Sequence, residues 1–242
     1  MRTFKIADVC FGLTVTNESV YDLYKDYAYD GKAEFEIITT EADIEFEREK
    51  SRKEREFEGL KPHEFEASYL ETLSAYRKLA VKLTEYDTFL FHGSVIAVDG
   101  MAYLFTAKSG TGKSTHTRLW RELLGERAVM VNDDKPLLKV GEEGVTVFGT
   151  PYNGKHNLGC NMSAPLKAIC IIERGEQNSI TQVTKSDVYS MLLQQVYRPT
   201  DGTAMARTLT LIDKACESLK LFRLKANMDI SAAKLAFSTM SE

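Results

Sequence analysis

The segment from Ala107 to Ser114 carries small residues, a lysine and hydroxyl groups in the order of a phosphate-binding loop. It lies between an apolar run, Met101 to Ala107, and a helix-like run, Ser114 to Leu124. Small residues let backbone N–H groups turn toward a polyphosphate, and the start of a helix adds partial positive charge there. Lys113 would reach the β- and γ-phosphates, and the Ser114 hydroxyl would hold Mg²⁺. The predicted nucleotide-binding residues are Ser109, Gly110, Thr111, Gly112, Lys113, Ser114 and Thr115.

The first position of this loop departs from the usual motif, because it is Ala107 and not glycine. An alanine is compatible with the loop if its φ stays negative. A glycine-containing loop can also arise by chance. The succession of strand, loop, Gly-Lys-Ser and helix is the feature that favours phosphate binding here.

Two adjacent carboxylates, Asp133 and Asp134, follow the next predicted strand, Ala128–Val131. In P-loop proteins an acidic residue at this place meets the magnesium ion. The second carboxylate can accept a proton from an attacking hydroxyl group. The same stretch, Asn-Asp-Asp-Lys-Pro, also favours an ordinary turn. Its position after a phosphate loop favours the functional interpretation.

A histidine and an arginine are further candidates. His92 precedes the loop by one hairpin, so the end of its strand can lie beside the phosphates, where an imidazole can bind a metal or neutralise a phosphoryl oxygen. Arg198 precedes Pro199 and can bind the acceptor or stabilise transition-state charge. Both residue types are also common in purely structural roles. Weaker candidates are Lys155, in the polar loop Gly149–Asn157, and also Arg174 and Arg207.

Apolar periodicity predicts a small lobe ahead of these motifs. Thr3 to Val15 alternates like a strand or bent hairpin arm, and Glu34 to Phe46 reads similarly. The mixed-charge run Glu41 to Glu58 is interpreted as a solvated strand edge or surface segment. Apolar residues at spacings of three and four predict a helix from Glu64 to about Thr84.

From Thr88 the pattern becomes that of a nucleotide-binding domain. Phe89–Val98 and Met101–Thr106 are predicted strands joined by a two-residue turn at Asp99-Gly100, and the helix after Lys113 ends near Gly125. Further strands are predicted at Ala128–Val131, Leu137–Val140, Val145–Phe148, Ala168–Glu173 and Leu219–Leu224, and further helices at Ser186–Tyr197, Thr203–Ser218 and Ile230–Phe237. The chain is therefore predicted to divide near residue 85, into an α+β lobe (1–85) and a mixed α/β nucleotide-binding domain (86–242).

The composition argues against several classes of protein. The 242 residues, 43% hydrophobic and 27% charged, fit one large globular domain or a core with a small appendage. A net charge of −4 provides no basic field for nucleic acid or anionic membrane. The cysteines lack Cys-x-x-Cys spacing, which argues against a zinc ribbon or disulfide framework and favours the cytoplasm. We expect no transmembrane helix and no signal peptide.

Phe91-His92-Gly93-Ser94, the loop Ser109 to Thr115 and the pair Asp133-Asp134, in this order, resemble the HPr kinase/phosphorylase and phosphoenolpyruvate carboxykinase group. In those proteins a histidine-bearing strand precedes the phosphate loop and a paired-aspartate strand follows its helix. The resemblance covers roughly Thr88 to Leu138, and the short hairpin is more similar to the HPr kinase side. It implies an α/β (α+β) fold, with a PEP-carboxykinase-like P-loop domain on a mixed sheet.

The resemblance also implies residue roles. Ser114 and Asp134 would hold the divalent ion, Asp133 would be the base, and His92 would assist the transferred phosphoryl group or a second metal; the order of the two aspartates stays open. Thr115 stands where HPr kinases usually have glutamate, and their Gly-rich, Arg-containing signature is not found, so the phosphatase activity is not expected. The substrate-binding set of the carboxykinases is not found either.

These features together predict a Mg²⁺-dependent phosphotransferase that moves the γ-phosphoryl group of ATP or GTP to a hydroxyl of a protein, peptide or small molecule. The alternatives are a non-catalytic nucleotide sensor, whose N-terminal lobe contacts a partner, and a nucleoside triphosphate hydrolase. The carboxylate pair favours transfer, because nucleotide binding alone needs only one acid near the metal. No nucleic-acid or membrane partner is expected, and a homo-oligomer is left open.

Overall fold

The computed structural model describes residues 1–108, 110–154 and 156–242, which form two compact units, Met1–Leu83 and Thr84–Glu242. Ser109 and Lys155, both candidate phosphate-site residues, lie outside the described residues. None of the described helices is long and apolar enough to span a membrane.

The first unit carries a sheet of order β1-β2-β3. Its strands are β1 (Arg2–Ile6), β2 (Val9–Thr14) and β3 (Phe35–Ile38), and its helices are α1 (Val20–Leu23), α2 (Glu41–Phe57) and α3 (Ala67–Leu83). β1 and β2 form an antiparallel hairpin, whereas β3 pairs parallel with β2. The predicted hairpin arm and the predicted helix before residue 84 are both confirmed.

The charged run after β3 is the helix α2, and most of its residues are exposed, so the interpretation as a surface segment is confirmed and the strand-edge alternative was wrong. The Asp43 carboxylate accepts the backbone N–H of Thr40 at 3.0 Å, which caps the first turn. Arg77 of α3 donates to the buried Glu47 at 2.6 Å, and Lys78 donates to Asp43 at 2.7 Å. The buried residues of α2 are one apolar side chain, Ile44, and one charged and paired side chain, Glu47, so the usual apolar period is weak in this helix.

Glu71 of α3 joins the ends of β2 and β3. Its side chain is fully buried and accepts the backbone N–H groups of Thr16 at 2.6 Å and Asn17 at 2.8 Å, the Asn17 amide at 2.7 Å, and the Thr39 hydroxyl. Burial by itself would raise the pKa of Glu71, but the hydrogen bonds from Thr39, Thr16 and Asn17 outweigh it and lower the pKa. The carboxylate therefore stays ionised inside the unit.

We expect Glu71→Gln to lower the free energy of unfolding by about 3 kcal/mol, because an amide places N–H groups against donors and loses the charge that they stabilise. Urea unfolding followed by circular dichroism measures the change. The matched control is Glu66→Gln, since Glu66 is exposed just before α3. Equal stability of the two variants would contradict a structural role for Glu71.

Among the described residues, the second unit has a mixed sheet of nine strands in the order β4-β8-β9-β10-β6-β5-β7, with β12 beside β10 and β11 beside β12. The strands are β4 (Thr88–Leu90), β5 (Ser94–Val98), β6 (Met101–Thr106), β7 (Ala128–Asn132), β8 (Leu137–Gly141), β9 (Gly144–Phe148), β10 (Ser163–Arg174), β11 (Ser179–Val183) and β12 (Lys220–Ala226). The helices are α4 (Lys113–Leu124), α5 (Lys185–Gln194), α6 (Gly202–Ser218) and α7 (Ile230–Met240).

Helices cover both faces of this sheet. Trp120 of α4 and Ala236 of α7 belong to one buried apolar cluster, whereas Leu192 of α5 and Leu211 of α6 belong to another. β10 pairs parallel with β6 and β12, whereas β5 pairs antiparallel with β6 and β7. The predicted mixed α/β architecture is confirmed at this level.

Several predicted elements differ from the observed ones in this unit. The predicted strand Phe89–Val98 is two strands, β4 and β5, because Phe91–Gly93 bonds instead to Pro136, Gln195 and Asp134. The helix predicted to reach Tyr197 ends at Gln194, because Val196 forms a bridge with Phe91. The strand β11 was not predicted, since its short sequence is mostly polar.

His116 lies buried in α4 with 3% of its surface exposed. Its Nε2 accepts the Trp120 indole N–H at 3.0 Å, and its ring packs edge-on against Phe105. Burial lowers the pKa of His116 to about 4. The unfolded chain binds a proton at this side chain below about pH 6.5 and the folded chain does not until about pH 4, so stability falls as pH decreases through that window.

From this shift we expect the free energy of unfolding to fall by about 2 kcal/mol between about pH 7.5 and pH 5 through His116 alone. Urea titrations at both pH values measure it. His116→Gln should lose less stability over this interval than wild type, whereas His63→Gln, at an exposed position, should behave like wild type. An NMR titration that places the His116 pKa near its ordinary value would contradict the prediction even if the glutamine variant does not fold.

Candidate functional site

Three neighbouring strands bring the sequence motifs to one edge of the sheet. Ser94, the first residue of β5, lies opposite Phe105 near the end of β6, and Val95 lies opposite Asn132 at the end of β7. The segments before β5, after β6 and after β7 therefore meet there. Hydrogen bonds join them: Ser94 Oγ to the Asp133 carbonyl at 3.2 Å, Gly93 N to the Asp134 carbonyl at 3.0 Å, and Thr106 Oγ1 to the His92 carbonyl at 3.0 Å.

The loop from Ala107 to Gly112 connects β6 directly to α4. Gly110 has φ 73° and Gly112 has φ 126°, in the region where L-residues with a side chain are strained. Ala107 is not among the residues with positive φ, which confirms the condition under which alanine fits this position. Gly112 precedes the first turn of α4 and its carbonyl accepts the His116 N–H at 2.9 Å. The loop thus ends at a helix N-terminus.

Lys113 folds back over this loop. Its Nζ donates to the Ala107 carbonyl at 3.3 Å. Burial lowers the pKa of Lys113, and the negative charge of Asp134 partly opposes that change. Ser114 is exposed and Thr115 is half-buried in the first turn of α4. The ammonium group therefore contacts the loop backbone and lies within electrostatic reach of Asp134.

Asp134 faces the His92 ring and the ammonium group of Lys135. Its Oδ1 lies 3.3 Å from His92 Nε2, and its Oδ2 lies 3.9 Å from Lys135 Nζ. Burial by itself would raise the pKa of Asp134, but the His92 hydrogen bond and the charges of Lys135, His92 and Lys113 outweigh it and lower the pKa. Asp134 is consequently an ionised carboxylate at neutral pH.

Asp133 points to a different neighbour. It is 8% exposed, and its Oδ1 accepts the backbone N–H of Gly154 at 2.5 Å. A Cβ at Gly154 would lie 3.1 Å from Asp133 Oδ2, so this close approach suits glycine. The carboxylate is thus held by the polar loop that follows β9, and that loop is part of the site.

Sequence reasoning missed Asn132 and Thr150, which position the aspartates. Asn132 Oδ1 accepts the backbone N–H groups of Asp134 at 2.9 Å and Lys135 at 2.7 Å, and its Nδ2 donates to the Thr150 carbonyl at 3.2 Å and hydroxyl at 3.1 Å. The Thr150 hydroxyl donates to the Lys135 carbonyl at 2.9 Å. The segment is therefore a side-chain-stabilised turn, as its composition suggested, and this turn holds the carboxylates at the edge of the sheet.

His92 is oriented from both ring nitrogens. Nε2 contacts Asp134, and Nδ1 lies 3.1 Å from the Gln195 side-chain oxygen, while the His92 backbone N–H donates to the Gln195 carbonyl at 2.7 Å. A ring with hydrogen on both nitrogens donates to the Gln195 oxygen at Nδ1 and to Asp134 at Nε2, whereas a neutral ring with its hydrogen on Nε2 requires the Gln195 amide to be turned over, so that its NH₂ group faces Nδ1. Gln195, which sequence reasoning did not select, therefore fixes the ring beside Asp134.

The three candidate arginines differ in whether they contact the loop. Arg198 is exposed, and among the described residues its side chain makes no hydrogen bond or ion pair with the site. Arg207 lies on α6, 3.7 Å from Glu85. Arg174, at the end of β10, donates to the Gly110 carbonyl at 2.6 Å. Of these three arginines, Arg174 is the one that contacts the loop.

The oxygen donors at the site suit a metal ion that is also bound by the phosphates of a nucleotide. Within the described ranges, no group of three or more His, Cys, Asp or Glu side chains could hold a metal ion. Ser114 and Asp134 offer the hard oxygen donors that Mg²⁺ prefers, and Mg²⁺ commonly takes its remaining ligands from water and substrate phosphates. The residues therefore fit a magnesium–nucleotide complex better than a metal site made of protein alone.

No protein-family model matches the chain, and no curated protein matches it either. Among solved structures, the chain is similar to the HPr(Ser) kinase/phosphatase from Coxiella burnetii, at 9% sequence identity and a TM-score of 0.34. The match covers 63% of this chain and 99% of that chain. At this identity and score the similarity assigns neither an activity nor site residues to this chain.

Proposed function

We propose that this protein is a kinase that transfers the γ-phosphoryl group of a nucleoside triphosphate, ATP or GTP, to a hydroxyl group. The observation that carries the proposal is the hydrogen bond of Lys113 Nζ to the backbone of a glycine-containing strand-to-helix loop, within electrostatic reach of the ionised Asp134. In this proposal the nucleotide domain, 86–242, is a P-loop domain of the PEP-carboxykinase-like kind.

The loop and Lys113 would bind the phosphates. Backbone N–H groups of the loop and the N-terminus of α4 attract anions, and the 12-residue length of that helix supports a full terminal dipole. The Lys113 ammonium is partly desolvated and makes one backbone hydrogen bond at 3.3 Å, so a phosphate oxygen can replace that carbonyl. These contacts provide the binding energy that holds the transferred group in place.

Ser114 and Asp134 would hold Mg²⁺, which when bound neutralises charge on the phosphate oxygens. The lowered pKa of Asp134 keeps this carboxylate ionised. His92, fixed by Gln195, contacts Asp134 and limits where its carboxylate can point. His92 is thus a positioning residue in this proposal, since both of its ring nitrogens already have partners.

Asp133 would accept the proton of the acceptor hydroxyl. As the acceptor oxygen bonds to the γ-phosphorus, the bond from that phosphorus to the bridging oxygen breaks and the nucleoside diphosphate leaves; the hydroxyl proton goes to Asp133. The hydrogen bond from Gly154 orients the carboxylate for this step. Arg198 is retained as a candidate for acceptor binding, because the residues just before it pair with the His92 segment: His92 N donates to the Gln195 carbonyl and Tyr197 N donates to the Leu90 carbonyl.

The test uses γ-labelled ATP and GTP with Mg²⁺, and as acceptors a mixture of serine- and threonine-containing peptides and glycerol. We expect magnesium-dependent transfer of label to an acceptor. Release of labelled phosphate without acceptor labelling would indicate a hydrolase. Calorimetric binding of nucleotide with neither transfer nor hydrolysis would indicate a sensor, and both results would replace the kinase proposal.

A further inference from the structure

The residues of the proposed kinase site all bind or face the phosphates of the nucleotide. The order of the strands in the sheet indicates where the nucleoside lies. Asp134 follows β7, on one side of the loop, while β10 and β12 lie on the other side. Both β10 and β12 run parallel to β6, so their carboxyl ends reach the same edge as the loop. If the γ-phosphate points toward Asp134, the nucleoside extends in the opposite direction, over the ends of β10 and β12.

Arg174 links the loop to that side of the sheet. The last parallel pair of β6 and β10 is Thr106 with Ile171, and β10 then continues to Arg174, level with the loop. The Arg174 guanidinium donates one hydrogen bond, to the Gly110 carbonyl at 2.6 Å. A guanidinium has five N–H donors, so others are available for ribose or α-phosphate oxygens.

Hydrogen bonds connect the turn after β10 to the turn after β12. We call the surface that these two turns form the nucleoside platform (residues 174–178 and 226–231). Gly175 N donates to the Ala226 carbonyl at 3.0 Å, and Asn227 N donates to Asn178 Oδ1 at 2.8 Å. Asn178 Nδ2 then donates to Ser231 Oγ at 3.0 Å. The platform is therefore held at both turns by side-chain and backbone bonds, and it adjoins the loop through Arg174.

Two apolar side chains of this platform are exposed, Met228 with 75% of its surface and Ile230 with 39%. Met228 lies two residues beyond Ala226, the Cα partner of Arg174. Two strand spacings, about 10 Å, separate β6 from β12, a span that a nucleoside attached to loop-bound phosphates can bridge. A thioether makes favourable contacts with aromatic rings, including the planar face of a nucleobase.

We propose that the nucleoside platform binds the nucleoside of the nucleotide, with the base on Met228 and the ribose or α-phosphate against Arg174. This proposal rests on the proposed function, because it requires the phosphates to occupy the loop. It adds a ligand surface that the sequence motifs do not include.

Photolabelling tests the location directly. The folded full chain is irradiated with 8-azido-ATP and Mg²⁺, digested, and analysed by mass spectrometry. We expect label that excess ATP prevents, within residues 174–178 or 226–231. ATP-protected label concentrated in other segments would overturn the platform, and it would leave the kinase proposal standing. Absence of any ATP-protected label together with absence of ATP binding would overturn both.

Substitutions give a second, independent readout. Met228→Ala is expected to weaken ATP binding about fivefold, the size expected for one thioether–ring contact, and to leave binding of inorganic tripolyphosphate unchanged. Met101→Ala is the control, because Met101 is exposed at the start of β6, away from the loop. Lys113→Ala should weaken both ligands. Wild-type ATP affinity in Met228→Ala, with both ligands weakened in Lys113→Ala, would overturn the platform alone.

Discussion

Lys113→Ala is expected to lower the affinity for magnesium–ATP by about a hundredfold and to reduce phosphoryl transfer below detection. A charge-assisted hydrogen bond contributes about 1.5–3 kcal/mol, and the proposed function requires Lys113 to make at least one such bond to phosphate. Isothermal titration calorimetry measures the affinity, and γ-labelled ATP measures the transfer. Lys234→Ala, at an exposed position of α7, is the control and should behave like wild type.

The same substitution should leave the fold intact, and this separates a functional from a structural role. The pKa of Lys113 is lowered by burial, which means that the folded protein disfavours its charged form. Removing the charge should therefore not lower the free energy of unfolding, even though nucleotide binding is lost. A Lys113→Ala protein that binds and transfers normally would remove the basis for a phosphate-binding loop.

The parts of the site that follow from short-range rules could be predicted from sequence. The loop between β6 and α4 has left-handed φ at its glycines, and the turn at Asp99-Gly100 has φ 51° and 84°, as a two-residue hairpin requires. Gly125 ends α4 with φ 57°. Each of these features depends on the conformational preference of one or two residues, so the local sequence determines it.

The contacts that set the side chains could not be predicted, because they join residues distant in sequence. Asp133 meets Gly154 across 21 residues, and His92 meets Gln195 across 103 residues. Arg174 contacts the loop only because β10 pairs with β6, and sequence spacing does not reveal which strands are neighbours. For the same reason Arg198 ranked above Arg174 on sequence alone.

Replacing each of the two aspartates by asparagine is expected to impair a different step: proton transfer for Asp133 and Mg²⁺ binding for Asp134. Asp133→Asn keeps an oxygen that can accept the Gly154 N–H, so the loop after β9 should stay in place. An amide cannot accept the proton of the acceptor hydroxyl. We therefore expect the single-turnover transfer rate to fall by about 10²–10⁴, the usual contribution of a general base, with unchanged affinity for magnesium–ATP.

Asp134→Asn removes the charge that faces His92, Lys135 and Lys113. We expect a higher Mg²⁺ concentration for half-maximal nucleotide binding, because an amide oxygen is a weaker ligand than a carboxylate. Titrating Mg²⁺ at fixed nucleotide, followed by single-turnover rates at saturating Mg²⁺, separates this effect from proton transfer. A shifted Mg²⁺ midpoint in Asp133→Asn instead would exchange the roles of the two residues. Unchanged midpoints and rates in both variants would remove the carboxylates from the reaction, since neither the metal nor the hydroxyl proton would then depend on them.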